Sequence, residues 1–387
     1  MSYSYSKGQK RDISEKGDKP LNILSKKWER NIKINEDIQE KNIQINQNMK
    51  ENDLIIANNK IPKNIKFVAN LTEDSMAEEY LDNTFNVFKS IYNILYLVYT
   101  NSYNSIICYN LIDLKKINEI KNAHQYHISN FRYFLDKENK RDLILSISRK
   151  EDNVKLWNIN SLECLINIVN IHETDYILSA CFLKHKNNNY IITINCSYPY
   201  NYEIIKIFDF DGNKVKQISE SNYPTNFIES YYDKKLLKSY IITGCDGFVK
   251  SYDYNKNKIY HLYSDDNNNE GHFSIIINDT ENVVKLIGSS YDGKIRIWNF
   301  HSGELMFKII VSSHKLYGIC LWNNEYLFVG EKEIKLIDLK NGIIVNDLIG
   351  NNSLVLTIKK IVLPQYGECL LSQSWPYNQI KLWTYES

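Results

Sequence analysis

From about residue 82 onward the chain alternates short apolar runs with polar turns. The runs are rich in Ile, Val, Leu and aromatic residues, and clusters of Asn, Asp, Gly and Ser separate them. This pattern specifies strands joined by tight turns, since an amphipathic helix would space its apolar residues three or four apart. Some runs, such as Ile191-Ile192-Thr193-Ile194, are apolar on both faces and are expected as inner strands covered on both sides. The longest apolar stretch, Ile91 to Ile112, is cut by Thr100-Asn101-Ser102-Tyr103-Asn104-Ser105. It reads as two strands and a turn, too broken for a membrane span.

The strands recur. Six copies of one short pattern end in an aromatic or aliphatic residue followed by Asn, Asp or Thr. They are Lys155-Leu156-Trp157-Asn158, Lys206-Ile207-Phe208-Asp209, Lys250-Ser251-Tyr252-Asp253, Arg296-Ile297-Trp298-Asn299, Lys335-Leu336-Ile337-Asp338 and Lys381-Leu382-Trp383-Thr384. Their key positions lie 51, 44, 46, 39 and 46 residues apart, and a weaker copy, Ile106-Ile107-Cys108-Tyr109-Asn110, precedes them. Such a period marks a β-propeller built blade by blade. The expected fold is all-β, a seven-bladed propeller of four-stranded antiparallel blades. The blades fall at 82–122, 123–171, 172–220, 221–264, 265–312, 313–350 and 351–387. In the first, Ile94–Thr100, Ser105–Ile112 and Lys116–Ile120 read as inner, middle and outer strands. This blade is the weakest copy, so a six-bladed ring with a separate N-terminal cap stays open. Only four residues follow Trp383, which leaves blade seven short of an outer strand. The segment 63–70 is the expected donor, closing the ring and covering a sheet edge; the propeller then spans 63–387.

Residues 1–62 differ in kind. They are rich in Asn, Lys and Gln, and Tyr3, Tyr5 and Trp28 are their aromatic residues. Such a segment buries too little apolar area to offset its chain entropy and is expected to be disordered. Leu24 to Ile56 carries a broken heptad pattern suited to a helix formed on a partner. Residues 1–66 hold 14 Lys/Arg against 9 Asp/Glu, while the whole chain has a formal net charge of +1. That near-neutral balance argues against nucleic acid as a partner. The N-terminus has no apolar signal core, so the expected compartment is intracellular, the cytoplasm, with no membrane association. The seven cysteines form no Cys-x-x-Cys pair and sit in strand-like runs, as small buried hydrophobes with free thiols.

The repeats resemble the WD-repeat family of β-propellers over roughly Asp82 to Trp383. In that family a blade opens near Gly-His and its third strand ends in Trp-Asp. A His, a Ser/Thr, a turn Asp and the Trp form a hydrogen-bonded chain inside the blade. Blade five matches best, with Gly271-His272, Ser290, Asp292-Gly293 and Trp298-Asn299. Blade two keeps Ala123-His124 and Trp157-Asn158, with Glu151 or Asp152 at the turn. Blade seven keeps Trp383. The resemblance therefore assigns a structural role to His272, Ser290, Asp292, Trp298, His124, Trp157 and Trp383. His172 and His314 open blades three and six.

Catalytic and cofactor signatures are missing from the text. There is no phosphate-binding glycine loop, no dinucleotide fingerprint, no nucleophile elbow and no His-Glu-x-x-His. His124 and His127 form an i/i+3 pair without another ligand at zinc spacing. Asp209-Phe210-Asp211-Gly212 reads as a turn, and the Asp-Gly and Asn-Gly pairs at 211, 246, 292 and 341 as type I′ turns. No catalytic, cofactor or metal residue is assigned. The expected function is a non-catalytic scaffold binding protein partners through rim loops and the central channel. Tyr198-Pro199-Tyr200, Tyr231-Tyr232 and Trp375-Pro376-Tyr377 are candidate exposed aromatics. Two alternatives stand beside it. One is a substrate receptor of a ubiquitin ligase, although the positions three residues after the key aromatic are Asn160, Asp211, Asn255, His301, Lys340 and Glu386, with no Arg among them. The other is an enzyme using the channel.

Overall fold

The computed structural model describes residues 65–72, 85–100, 104–172, 176–196, 203–220, 225–265, 270–351, 353–376 and 379–385. The reading of 1–62 as disordered or partner-induced helix lies outside them. The described chain forms seven four-stranded antiparallel sheets. Blade one comprises β2 (Phe85–Lys89), β3 (Leu95–Thr100), β4 (Ile106–Asn110) and β5 (Lys115–Ile120). Blade two comprises β6 (Asn130–Asp136), β7 (Arg141–Ser148), β8 (Asn153–Asn158) and β9 (Glu163–Val169). Blade three holds β10 (Tyr176–His185), β11 (Asn188–Cys196), β12 (Glu203–Phe208) and β13 (Lys214–Glu220). Blade four holds β14 (Thr225–Asp233), β15 (Lys238–Cys245), β16 (Phe248–Asp253) and β17 (Lys258–Ser264). Blade five is β18 (His272–Asp279), β19 (Val284–Ser290), β20 (Lys294–Asn299) and β21 (Leu305–Ile310). Blade six is β22 (Ile319–Leu321), β23 (Tyr326–Gly330), β24 (Ile334–Asp338) and β25 (Ile343–Leu348). Blade seven draws β26 (Leu354–Leu363), β27 (Gly367–Trp375) and β28 (Gln379–Tyr385) from one end of the ring and β1 (Ile65–Asn70) from the other.

The pairing of β1 with β28 closes the circle. Ile65 faces Tyr385 and Phe67 faces Trp383, and the register then slips so that Ala69 faces Leu382. The same slip, one residue before or at the key aromatic, recurs between third and fourth strands at Trp157, Phe208, Tyr252, Trp298, Ile337 and Tyr109. Thus β1 reproduces the bulge of a fourth strand as well as its position. Beyond the strand, the Leu71 amide donates to the Ile380 carbonyl at 2.8 Å and the Ile380 amide to Thr72 Oγ1 at 3.0 Å.

Burial explains why a sheet so short is stable. Seven apolar clusters lie one at each junction between neighbouring blades. Leu97, Leu111, Leu371 and Leu382 form the junction of blades seven and one. Ile65 joins Trp383, Phe328 and Leu336 between blades six and seven. Each blade is thus covered on both faces, and second strands such as β15 are buried through most of their length. This is where Ile191-Ile192-Thr193-Ile194 belongs: it is in β11, the second strand, not an inner one. In blade one the inner strand is likewise Phe85–Lys89, and the run from Leu95 is the second strand. Its short, half-buried pattern hid it, because an innermost strand meets the axis of the ring on one side.

Third and fourth strands are joined by one repeated turn in blades one, two, four, five and six, while in blade three Asp209 caps Asp211 and Asn213 and Gly212 is the left-handed residue. The Asn or Asp after the key aromatic accepts backbone N–H groups two and three residues on. Asn110 caps Ile112, Asp253 caps Asn255 and Lys256, Asn299 caps His301 and Ser302, and Asp338 caps Lys340 and Asn341. The residue four positions on is left-handed: Leu114, Leu162, Asn257, Gly303 and Gly342. This corrects the type I′ reading of the Asp-Gly and Asn-Gly pairs. Gly212, Gly247, Gly293 and Gly342 have positive φ, but the residues before them do not. Thr384, the one non-Asx copy, lies inside β28, whose neighbour is β1, so no such turn is made there.

Close approach of inner strands fixes Gly318. A Cβ there would lie 2.4 Å from the Leu356 carbonyl oxygen, at the junction of blades six and seven. Gly318→Ala is expected to destabilise the fold by about 1–3 kcal/mol, as overpacking against immovable backbone does. Denaturant unfolding monitored by tryptophan fluorescence reads this directly; an unchanged midpoint would show that the junction is loose.

Candidate functional site

The hydrogen-bonded chain expected inside a blade is complete in blade two. Trp157 Nε1 donates to Ser146 Oγ at 2.9 Å, and Ser146 Oγ lies 2.8 Å from His124 Nε2. His124 Nδ1 is 3.2 Å from Glu151 Oε2. One proton arrangement satisfies all four groups: indole N–H to hydroxyl, hydroxyl to Nε2, and Nδ1–H to carboxylate. Burial holds the His124 pKa below its usual value, as a neutral ring in this chain requires, and Glu151 is lowered to about 2 by its bonds from His124 and the Tyr126 amide despite its burial. Ser, His and carboxylate stand here in the order of a hydrolytic triad. Ser146 is fully buried, however, with an indole N–H on its oxygen, so no substrate reaches it.

Blade five departs from the expectation. Ser290 Oγ donates to the Gly271 carbonyl at 3.3 Å, and Trp298 Nε1 donates to the Ser264 carbonyl at 3.4 Å. The strand register gives the reason. Ser146 of blade two sits opposite Lys155, and its equivalent opposite Arg296 is Gly288. A Cβ at Gly288 would lie 3.3 Å from the Trp298 ring and 3.4 Å from His272 Nδ1, so the two rings occupy the hydroxyl's space, packed edge-on at 5.6 Å. Asp292 instead receives Arg296 Nη1 and Nη2 at 3.0 and 2.6 Å and Lys294 Nζ at 3.0 Å. His272 remains fully buried beside Trp298. Blade seven keeps half the chain, Trp383 Nε1 donating to Ser372 Oγ at 2.8 Å. Blade three keeps His172 Nε2 at 3.2 Å from Thr193 Oγ1. His314 is exposed and pairs with Glu331 at 3.0 Å, so it belongs to the surface.

A second device was present in the repeat but carried no role in the sequence reading. In blades two, three and seven the Lys two residues before the key aromatic is a staple, whereas Arg296 and Lys335 at that position pair with Asp292 and Glu331. Lys155 Nζ donates to the Ala123 carbonyl at 2.7 Å, Lys206 to that of Ile171 and Lys381 to that of Gly350. Each acceptor immediately precedes His124, His172 or Asn351, the opening position of its blade. Lys250 differs, reaching Glu203 of the neighbouring blade at 2.6 Å in a buried pair that Tyr252 OH also joins at 2.9 Å.

The turns between second and third strands and the links between blades share one face of the ring. On that face a cleft of 580 Å³ runs from blade five to blade seven. Glu270, Tyr291 and Asp292 form one wall, His314, Lys315, Tyr317 and Glu331 the other, and Leu354 the end. Lys315 Nζ lies 4.6 Å from the centre of the Tyr291 ring, and Tyr317 packs edge-on against Phe273 at 5.1 Å. Of the aromatics singled out from sequence, Tyr231 is buried in β14 with its hydroxyl donating to Asp279 at 2.9 Å, so it leaves the surface. Trp375 ends β27 on the cleft's face of the ring, while 198–200 and Tyr377 lie outside the described residues. Asp292 and His314 were read only as blade positions, and the pairing of Tyr291 with Lys315 was not legible because the two meet only across blades. Among the described residues no three His, Cys, Asp or Glu side chains gather as a metal site, and no helix is long and apolar enough to cross a membrane.

No protein-family model matches the chain, and no curated protein matches it. Among solved structures it is similar to the crystal structure of Chaetomium thermophilum Raptor, with a TM-score of 0.63 and 13% identity. The match covers 84% of this chain and 30% of that one, so this chain spans under a third of that protein. The likeness establishes a β-propeller fold.

Two outcomes follow from the blade interiors. Ser146→Ala leaves the His124 ring and the Trp157 indole without their common partner and is expected to cost about 1–3 kcal/mol; an unchanged thermal midpoint would contradict the chain described. Burial also depresses His172 to about 3 and His272 to about 4, each from 6.5, with His124 lowered too. A lowered imidazole contributes stability that is complete above its unfolded value and lost as pH falls below it. The thermal midpoint is therefore expected to fall between pH 6.5 and 4, and a flat profile there would show these rings to be open to solvent.

Proposed function

We propose that the protein is a non-catalytic docking scaffold of the WD-repeat type, binding protein partners through the face that carries the cleft of blades five to seven. The observation that carries this reading is the composition of that cleft. Tyrosines on both walls, a cation stacked on one of them and carboxylates already paired to basic residues make a surface that recognises side chains without activating them. Three successive blades supply the walls, so the site depends on the assembled ring and on no single repeat.

The test is a paired comparison on the full chain. Partners are first recovered by crosslinking from the native source, and their affinity is then measured with purified components. Tyr291→Ala with Lys315→Glu is expected to weaken binding by at least about 30-fold, the scale of an interface hot spot. Lys137→Glu, exposed in the β6–β7 hairpin on the opposite face, is expected to leave it unchanged. Equal effects of both substitutions, or none from either, would overturn the assignment of the face.

A further inference from the structure

From blade one to blade seven the first strands β2, β6, β10, β14, β18, β22 and β26 touch in order and so line the axis of the ring. Strand register identifies one equivalent residue on each, opposite the residue that follows the aromatic's partner in the second strand. These are Asn86, Arg132, Cys181, Glu229, Ile276, Cys320 and Lys359. Chemically they do not repeat: two cations, one carboxylate and two thiols share a layer where packing alone would select apolar residues. Arg132 of blade two reaches past blade three, and its Nη2 meets Glu229 Oε1 of blade four at 2.5 Å. Lys359 of blade seven makes no hydrogen bond or ion pair with the described residues. Its enclosure, with the Arg132 charge nearby, holds its pKa below the usual lysine value. Burial keeps the Cys181 thiol raised well above its usual value and pushes Cys320 to about 11, so both are neutral. The layer carries one more positive than negative charge.

One step along the strand nearer the cleft-bearing face, the same sides of these strands carry Asn130, Ser179, Ser274 and Thr357 in blades two, three, five and seven, with Phe227 in blade four and Gly318 beside blade six. Asn130 Nδ2 donates to Ser179 Oγ at 3.3 Å. Three buried polar atoms here have no partner among the described residues: Arg132 Nε, Asn130 Oδ1 and Thr357 Oγ1. Buried polar atoms without partners are rare in folded proteins, and a group of them marks a place meant for water or a ligand. The opposite side of the charged layer is mostly apolar, with Phe88, Phe134, Leu183 and Tyr231, and Asn278 in blade five. Toward the cleft-bearing face, blades two, three, five and seven thus present amides and hydroxyls beside the two cations.

We infer that this axial pocket binds a small oxyanion of the phosphate class, held by Arg132 and Lys359 with the Thr357 hydroxyl and the Asn130 amide as further donors. The Asn130 amide fits either way round, since exchanging its nitrogen and oxygen keeps the contact with Ser179 and turns N–H into the pocket. Glu229 is the built-in competitor: it occupies part of the Arg132 fork and sets the affinity low. A phosphate presented on a partner's side chain has the same chemistry as the free ion, and titration with each separates the two sources.

Titration calorimetry of the full chain with inorganic phosphate, against chloride at constant ionic strength, tests this. Saturable binding is expected for wild type. Lys359→Met is expected to weaken it at least about tenfold, the loss of one charge-assisted bond. Glu229→Gln is expected to tighten it severalfold by freeing Arg132. Both changes alter a charge inside a water-accessible channel, and circular dichroism confirms that each variant folds. A phosphoserine peptide run in parallel separates the sources: binding weaker than free phosphate supports the pocket as drawn, and binding only by the peptide overturns its assignment to the free ion. Absence of phosphate-specific heat, or identical heat in wild type and Lys359→Met, overturns the site.

Discussion

A propeller depends on one constraint above all: the last sheet must be joined to the first. Here the pairing of β1 with β28 meets it, and it does so by imitation. Ile65 enters the same apolar junction as the blade-seven core, Phe67 packs edge-on against Trp383 at 5.7 Å, and the strand carries the fourth-strand bulge at the same place. Without it β28 presents an open edge and the junction beneath loses one of its walls. The seven junctions form a circle, so a gap at one relaxes its neighbours.

Within the circle the repeat works through three positions of one short strand. The aromatic fills the junction, the Asn or Asp after it caps the turn to the fourth strand, and the basic residue before it staples the strand to the link from the previous blade. The three roles are separable. Ile337 replaces the aromatic, Thr384 lacks the turn, and Lys250, Arg296 and Lys335 turn to carboxylates, yet each blade stands. This explains how a repeat so degenerate still specifies one architecture: no blade needs every element when each is clamped between two others.

The fold was legible in the sequence because period, turn residues and apolar runs repeat along the chain. Ring closure was legible for the same reason, as a missing strand and one candidate to fill it. What failed was register. The Ser290 assignment chose a hydroxyl two residues from the one that matters, because only strand pairing shows that Gly288 is the equivalent of Ser146. The innermost strand of blade one was lost because a half-exposed strand lacks a continuous apolar run. The cleft and the axial pocket were invisible for a stronger reason. Tyr291 meets Lys315, and Arg132 meets Glu229, only after the circle has closed. Stability of a propeller is written locally in each repeat, whereas its binding chemistry is written across repeats, one residue per blade.

Amide hydrogen exchange of the intact chain measures the closing strand most directly, since exchange reports the free energy of local opening. If β1 is a full member of blade seven, amides of Phe67 and Leu71 exchange as slowly as those of Leu382 and Trp383 and lose protection together with them. Fast exchange across 65–71 beside slow exchange across 380–384 would show a ring held shut without β1, and the closure described would be wrong.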